Sequence, residues 1–527
     1  MTVSSRSGSD GQRRSAPGRV DAASARRRRP NILLIMADQL SAPFLSVHGG
    51  PAVTPNIDRL VAHGTTFTSA YSNSPLCAPA RFAMMTGRRN SRIGAYDNAS
   101  ELPAAVPTFA HLLRGAGYQT SLIGKMHFVG PDQLHGFEER LTTDIYPADF
   151  GWTPNWSEPG RRVDWWFHNL DSVVHAGVAD VSNQLDFDDE VGFRAVRKLR
   201  DLARSEDGRP WMTTVSFTHP HDPYVARREF WDLYDDETVP MPTVGALDPE
   251  GIDEHSRRLR HVIGADVTDV TGDQIRRARR AYLANVSYVD RHVGELLDVL
   301  DRHGATDDTV VIFTSDHGDM LGERGLWYKM CFYEHASRIP LIVRCPRTAG
   351  GVRNSTQVSL LDVAPTLLDL AGLDREPSLD GTSVVGLLGE PVAEDRTVLG
   401  EYLGEGAVAP VLMIRRGDLK FTWSRPDGAM LHDLSSDPDE IHDLARDGRG
   451  GETDDLLEDL VEEVHELWDP DEIDRSVRRS QAERSVVDRA MRAGRFTSWD
   501  HQPEVDAAQQ YMRNHLDLNA VESSRRA

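Results

Sequence analysis

The apolar run Asn31-Ile-Leu-Leu-Ile-Met36 leads directly into the polar sequence Ala37-Asp38-Gln39. A short uninterrupted apolar run is typical of a parallel strand that is buried on both faces. Similar runs follow at residues 118–125, 210–217, 309–316 and 340–343, and helical stretches separate them at 57–62, 108–114 and 275–300. This alternation predicts an α/β fold in which helices sandwich a large, mixed but mostly parallel sheet.

The pattern changes after about residue 395, where short alternating segments are separated by turn sequences rich in Gly and Asp. Alternation with a period of two indicates antiparallel hairpins. We therefore predict a smaller C-terminal antiparallel α+β subdomain and, after it, a helical tail. The predicted divisions are a disordered Arg-rich N-terminus at 1–29, a catalytic domain at 30–395, the antiparallel subdomain at 396–475 and the tail at 476–527.

The composition excludes several functions. A formal net charge of -23 argues against a general nucleic-acid binder. No apolar run reaches the roughly 18 residues of a membrane-spanning helix, so no membrane partner is expected. Three cysteines without disulfide or zinc spacing indicate a reducing compartment, the cytoplasm. The arginines of the N-terminus are interpreted as part of a disordered start, with an arm that binds nucleic acid or an anionic surface as the alternative.

Polar side chains stand where the predicted strands end. Ligands of open α/β sheets bind at the carboxyl ends of the strands, and these ends carry Asp38, Lys125, His221, Asp316 and His317. Oxygen ligands from two separate strands suit a hard divalent cation such as Ca²⁺, Mg²⁺ or Mn²⁺. A single Asp after a strand is more often a helix cap, so the predicted metal site depends on both strand ends together.

A second candidate site is the helix start Ser74-Pro-Leu-Cys77-Ala-Pro79-Ala-Arg81. A helix N-terminus concentrates N–H donors and positive potential, which suits an anionic group. A lone cysteine before a helix is more often structural, but this Cys-x-Pro-x-Arg set resembles the signature that the formylglycine-generating enzyme recognises in type I sulfatases. The resemblance implies an alkaline-phosphatase-like fold and conversion of Cys77 to formylglycine by that enzyme.

Longer stretches resemble one branch of this family, the choline sulfatases. They lie at 124–140, 150–154, 218–228, 315–329 and 511–517, within a resemblance that runs from about Pro30 to Asn519. The resemblance implies hydrolysis of choline sulfate to choline and sulfate by formylglycine and one divalent cation, with Ca²⁺ preferred and Mg²⁺ or Mn²⁺ as alternatives. It also implies a homo-oligomer, a dimer or a tetramer, assembled through the tail.

The resemblance assigns roles residue by residue. The implied catalytic residues are Cys77, Arg81, Lys125, His127, His221 and Lys329, the implied metal ligands are Asp38, Gln39, Cys77, Asp316 and His317, and the implied substrate-binding residues are Trp152 and Asp517. Many sulfatases have Asp and Asn where this chain has Gln39 and His317. That pattern is similar to phosphonate monoester hydrolases as well, so phosphonate monoester or phosphodiester hydrolysis stays open, as does a broader arylsulfatase activity.

The tryptophans bear on the leaving group. A quaternary ammonium cannot donate a conventional hydrogen bond, so aromatic faces and diffuse negative charge must hold it. Four tryptophans follow the predicted Lys125 and His127 pair, at 152, 156, 165 and 166. Trp152 matches the family's cation-binding tryptophan, and the other three are interpreted as core residues. A non-catalytic binding protein would lack some of the expected chemical groups, and every one is present.

Overall fold

The computed structural model describes residues 29–162, 168–248, 251–447, 450–509, 511–513 and 515–524. Nearly all of the predicted N-terminal segment and the pair Trp165 and Trp166 therefore lie outside the described residues. The strands are β1 Asn31–Asp38, β2 Thr65–Tyr71, β3 Gln119–Gly124, β4 Glu139–Arg140, β5 Gly177–Val178, β6 Trp211–Pro220, β7 Val225–Ala226, β8 Thr309–Ser315, β9 Leu341–Arg344, β10 Val352–Ser359, β11 Thr397–Tyr402, β12 Val411–Arg416, β13 Leu419–Ser424 and β14 Gly428–Asp433.

Helices alternate with these strands through the first three quarters of the chain and then form its C-terminal end. They are α1 Pro55–His63, α2 Cys77–Thr86, α3 Asn90–Ile93, α4 Phe109–Gly115, α5 Asp171–Val174, α6 Asn183–Arg204, α7 Arg228–Trp231, α8 Glu254–Val262, α9 Gly272–Arg302, α10 Glu334–Ser337, α11 Val363–Leu370, α12 Leu444–Asp447, α13 Glu452–Leu467, α14 Pro470–Ala493 and α15 Leu518–Ser524. None of the helices in the described ranges is long and apolar enough to cross a membrane.

The central sheet has the strand order β10-β2-β9-β8-β1-β6-β3-β4. Strand β1 is parallel to both β6 and β8, whereas β9 runs antiparallel to β8 and β2. Alternate residues of β1 enter two separate cores, with Leu33 and Ile35 in one and Ile32 and Leu34 in the other. Burying such a side chain contributes about 1.5–3 kcal/mol. A strand buried on both faces needs the unbroken apolar run, so the prediction of a mostly parallel sheet covered by helices is confirmed.

The C-terminal subdomain is built around an antiparallel sheet with the order β11-β12-β13-β14. Consecutive strands pair, as expected for hairpins. Helices α13 and α14 follow, and their apolar residues Leu460, Val464, Ile473 and Val477 join the larger core. The predicted antiparallel subdomain and helical tail are confirmed.

The parallel arrangement brings the polar strand ends to one edge of the sheet. Strands β3, β6, β1 and β8 are adjacent and parallel, so Lys125, His221, Asp38 and Asp316 follow strand ends at the same edge. Gly124 ends β3 with φ +99°, and a Cβ there would lie 2.0 Å from the carbonyl oxygen of Ser216. Only glycine can occupy this position, and it lets the chain turn Lys125 toward the neighbouring strand ends.

Candidate active site

Cys77 is the first residue of α2, and the whole helix is buried. Its Sγ atom lies 3.3 Å from Nε2 of His317 and 3.9 Å from Oδ1 of Asp38. Burial, with the negative charge of Asp38, raises the pKa of the Cys77 thiol to about 11. The unmodified thiol is therefore protonated at neutral pH, and it is a poor nucleophile in that form.

Four side chains converge in a cluster that could hold a metal ion, and they are Asp38, Cys77, Asp316 and His317. One ligand atom from each lies within 4.8 Å of the others, and all four residues are buried. Nδ1 of His317 is 3.0 Å from the carbonyl oxygen of Gly318, which leaves Nε2 as the ligand atom that faces Cys77. Burial lowers the pKa of His317 to about 4, so the imidazole is neutral, as a metal ligand must be.

Positive side chains keep Asp38 ionised. Burial alone would raise the pKa of Asp38, but the positive charges of Lys125 and Arg81 hold it well below its usual range. Lys125 forms an ion pair with Asp38. Ionised carboxylates are the oxygen ligands that hard divalent cations prefer.

Arg81 connects the two carboxylates of the cluster. Its Nε donates to Asp316 at 2.8 Å and its Nη2 to Asp38 at 3.0 Å. Its Nη1 donates to the Lys125 carbonyl at 2.7 Å and to the Ser216 hydroxyl at 2.8 Å. The guanidinium therefore orients the carboxylates from behind, and the structure does not bring it to the wall of the pocket that Cys77 lines.

Gln39, Lys329 and His221 form a second polar chain beside the cluster. Lys329 Nζ is 2.6 Å from Oε1 of Gln39 and 2.9 Å from Nε2 of His221. The Gln39 backbone N–H donates to Asp316 at 3.0 Å, and its side-chain amide donates to Asp319 at 2.7 Å. Burial and the charge of Lys329 hold the pKa of His221 well below its usual range. The backbone N–H of Gln39 thus contacts the cluster, and its amide oxygen contacts the ammonium group of Lys329.

His127 lies two residues after Lys125 and contacts the aromatic rings of Tyr146 and Trp152. Its ring centroid lies 5.0 Å from that of Tyr146 and 5.9 Å from that of Trp152. Its ring nitrogens make no hydrogen bond within the described residues, although the side chain is buried. Burial and the charge of Lys125 lower its pKa to about 3. Because buried polar groups normally have partners, this imidazole is available to a bound molecule.

A pocket of about 390 Å³ opens above Cys77, and it is lined by Cys77, Asn98, Tyr146, Trp152, His168, His221 and Glu405. The structure therefore brings together Cys77, His221 and Trp152, three residues that were singled out in the sequence. Tyr146 and Trp152 pack edge to face with ring centroids 5.1 Å apart. Lys125 Nζ lies 4.3 Å from the Tyr146 centroid.

Sequence reasoning missed four lining residues: Asn98, Tyr146, His168 and Glu405. Glu405 is the most informative of them, because burial raises its pKa to about 7 in a pocket that Trp152 also lines. No local pattern marks Glu405, which follows strand β11 in the antiparallel subdomain. Tyr146 could have been found, since it lies in the same aromatic segment as Trp152.

The remaining predicted residues lie outside the pocket. Trp156 is buried, and its Nε1 donates to the Gly404 carbonyl at 2.9 Å. Asp517 is exposed and accepts backbone N–H groups at the start of α15, from Asn519 at 3.0 Å and Ala520 at 3.1 Å. Within one chain, Asp517 does not line the pocket.

Three family models match the chain. The model described as "Sulfatase" matches residues 30–373, and "Choline sulfatase enzyme C terminal" matches residues 475–526. "N-sulphoglucosamine sulphohydrolase, C-terminal" matches residues 322–468. The matched ranges cover the central sheet, the antiparallel subdomain and the helical tail.

Characterised sequences and solved structures are also similar. The "Choline-sulfatase" of Rhizobium meliloti (strain 1021) is 50% identical over 94% of this chain and 98% of its own length. The "Arylsulfatase" of Clostridium perfringens (strain 13 / Type A) is 29% identical over 79% of this chain and 90% of its own. The phosphonate monoester hydrolase structure from Agrobacterium radiobacter has a TM-score of 0.67 at 24% identity, covering 83% of this chain and 95% of its own. At that identity the likeness concerns the fold.

Proposed function

Because this chain belongs to the sulfatase family, and within it to the choline sulfatases, we propose that it hydrolyses choline sulfate to choline and sulfate. The observation that carries the proposal is that one pocket is lined by two chemically different sets of side chains. Cys77, a member of the candidate metal cluster, lines it together with the Trp152 ring and the Glu405 carboxyl. Such a pocket suits a molecule with a sulfate at one end and a cation at the other.

The residues present fit the two groups that sulfatases use. Asp38, Asp316 and His317 offer two carboxylates and a neutral imidazole around Cys77, a donor set that suits a hard divalent cation; Ca²⁺ is our choice, with Mg²⁺ and Mn²⁺ as alternatives. When present, formylglycine made from Cys77 supplies an oxygen nucleophile, and the cation lowers the barrier by stabilising negative charge. The Gln39 amide oxygen is proposed as a further ligand.

The cationic side chains would hold the sulfate. Lys125 and Lys329 flank the cluster from two sides and carry their charges on buried ammonium groups. Charges fixed in a buried site stabilise a transition state without having to reorganise. Arg81 supports them indirectly by orienting Asp38 and Asp316.

Two histidines would move protons. His221 lines the pocket, and its Nε2 lies 2.9 Å from the Lys329 ammonium. We assign the pair to the choline oxygen as that oxygen leaves, with the Lys329 ammonium as the source of the proton, because the pKa of His221 is held well below its usual range. His127 has buried ring nitrogens without hydrogen-bond partners and a pKa of about 3. A neutral imidazole can accept a proton, and we assign His127 to the step that releases sulfate.

The aromatic and acidic part of the lining would bind the quaternary ammonium. The Trp152 ring offers a π-face, which attracts cations, and the Tyr146 ring packs edge to face against it. Glu405 adds a carboxylate that a bound cation would keep ionised, because opposite charge lowers a carboxyl pKa. We propose Trp152, Tyr146 and Glu405 as the determinants of the leaving group.

Phosphonate monoester or phosphodiester hydrolysis is the second candidate, and Gln39 with His317 is the feature that favours it. The test compares kcat/KM on choline sulfate, 4-nitrophenyl sulfate and a phosphonate monoester, with the Cys77→Ser variant as the control. We expect choline sulfate to be the best substrate by about 100-fold or more, the range that groups able to discriminate by charge can supply. A higher kcat/KM on the phosphonate would overturn the assignment.

We also propose how the enzyme matures and assembles, and in which compartment it works. Maturation requires the formylglycine-generating enzyme, and the tail assembles a dimer or tetramer in which Asp517 reaches a neighbouring subunit's pocket. Two tail contacts support a docked segment: Asp500 accepts the Ala148 N–H at 2.9 Å, and the Trp499 ring packs 5.3 Å from Phe150. The cytoplasm is the proposed location, since Cys77, Cys331 and Cys345 are all free thiols.

A further inference from the structure

Helix α14 lies mostly within the residues that match the choline-sulfatase C-terminal model, 475–526. Three of its side chains, Arg478, Gln481 and Arg484, are spaced three residues apart. Side chains with this spacing share one face of a helix. That face contacts three chain segments, and each segment carries a residue of the active-site pocket.

The first contact is a buried ion pair between Arg484 and Asp97. Arg484 Nη1 donates to Oδ1 at 2.6 Å and Nη2 to Oδ2 at 2.7 Å, while Arg484 is 6% exposed and Asp97 is fully buried. Asp97 Oδ1 also accepts the Ala99 N–H at 3.0 Å, so the carboxylate fixes the turn that holds Asn98. The Asn98 side-chain oxygen in turn accepts the Ala78 N–H at 3.0 Å, next to Cys77.

The second contact holds the segment that follows Trp152. Arg484 Nη1 donates to the Thr153 hydroxyl at 3.3 Å. Gln481 Oε1 accepts the backbone N–H of Trp156 at 3.0 Å. The chain is therefore fixed by helix α14 directly after the tryptophan ring that lines the pocket, and again three residues later.

The third contact holds the loop of Glu405. Arg478 Nη2 donates to the Val408 carbonyl at 2.6 Å, on the C-terminal side of Glu405. Trp156 Nε1 donates to the Gly404 carbonyl at 2.9 Å, on its N-terminal side. The loop is thus held on one side by α14 directly. On the other side it is held by Trp156, whose own backbone is held by α14.

We propose that Arg484 is a positioning residue that sets the selectivity of the pocket for a quaternary ammonium. It connects the turn of Asn98 and the segment of Trp152 through one guanidinium, and the same helix face holds the loop of Glu405. Cation–π attraction requires the cation within about 6 Å of the ring centroid, so small shifts of these segments weaken binding of the cation. The inference rests on the proposed hydrolysis of choline sulfate.

The test uses Arg484→Lys, which keeps the charge but cannot form two parallel bonds to a carboxylate. Two substrates are compared: choline sulfate and 3,3-dimethylbutyl sulfate, in which a neutral carbon replaces the quaternary nitrogen. We expect KM for choline sulfate to rise about tenfold more than KM for the neutral ester, with kcat changed less than KM. Asp97→Asn should give the same result. The double variant should lose less substrate-binding free energy than the sum of the losses in the two single variants.

Arg489→Lys is the matched control, because Arg489 lies exposed on the same helix, and it should leave both KM values unchanged. Equal changes of KM for the two esters would overturn the inference, since loss of fold alone affects both. If Arg484→Lys does not fold, Asp97→Asn, which alters the carboxylate partner of Arg484, provides the same comparison, and an unchanged ratio there is equally decisive against it. A wild-type enzyme without preference for choline sulfate would instead refute the proposed function.

Discussion

Replacing Glu405 with glutamine should separate the stability of the protein from its binding of substrate. Burial, with Asp97 nearby, raises the pKa of Glu405 from its ordinary value of 4.5 to about 7. At about 1.4 kcal/mol per tenfold change in proton affinity, this difference corresponds to about 3 kcal/mol. The pKa is higher in the folded protein, so the stability contributed by the neutral acid is fully present below pH 4.5 and is lost as the pH rises through 7.

Glutamine is neutral at every pH and avoids that loss. We expect Glu405→Gln to raise the free energy of unfolding by about 3 kcal/mol at pH 8.5 and by under about 1 kcal/mol at pH 5. The same variant should raise KM for choline sulfate about tenfold, because the quaternary ammonium loses its carboxylate partner. Urea unfolding at both pH values measures the first effect, and steady-state kinetics measure the second.

Glu394→Gln is the control for this experiment, since Glu394 is exposed. It should change neither stability nor KM. The reasoning is refuted if Glu405→Gln is equally stabilising at pH 5 and pH 8.5, because the burial of a charge then plays no part. It is also refuted if the variant binds choline sulfate as tightly as the wild type.

Three further predictions follow from the same geometry. Trp152→Ala should raise KM for choline sulfate about tenfold while leaving KM for 4-nitrophenyl sulfate within about twofold, since only the first substrate carries a cation; equal effects would remove the cation-binding role. His221→Asn should lower kcat about 100-fold on choline sulfate and far less on 4-nitrophenyl sulfate, whose leaving group needs no proton; equal losses would exclude proton donation. Removal of divalent cations with EDTA should lower both kcat and the melting temperature, because a cation held by the cluster binds the folded protein and not the unfolded chain; an unchanged melting temperature would contradict a metal in the cluster, and Ca²⁺ should restore both.

The fold class could be predicted from the sequence because burial determines the local pattern of apolar residues. Strand β1 is apolar without interruption since both of its faces enter cores, and the segments after residue 395 are separated by the turn sequences that join consecutive antiparallel strands. Strand direction determines no such pattern. The short run of β9 has the same composition in either orientation, and only its pairing with β8 and β2 makes it antiparallel.

The site was predictable where it depends on strand ends and one helix start. Asp38, Cys77, Asp316 and His317 were identified individually, and the structure places their ligand atoms together. Arg81 was predicted to hold the modified residue or the anion, and in the structure its guanidinium donates to Asp38 and Asp316. Which partner a buried arginine chooses depends on neighbouring strands, which no local motif specifies.

The sequence by itself determined which apolar runs form strands β1, β3, β6, β8 and β9, the polar residues at their ends and the helix start at Cys77. These features are local, since each depends on residues within one strand, turn or helix. Only the tertiary structure decided that Asn98 and Glu405 line the pocket together with Trp152. It also decided the position of the helix face with Arg484 that holds the segments carrying these residues. The physical reason is that these residues come from separate loops, whose positions are set by packing and buried ion pairs between distant parts of the chain.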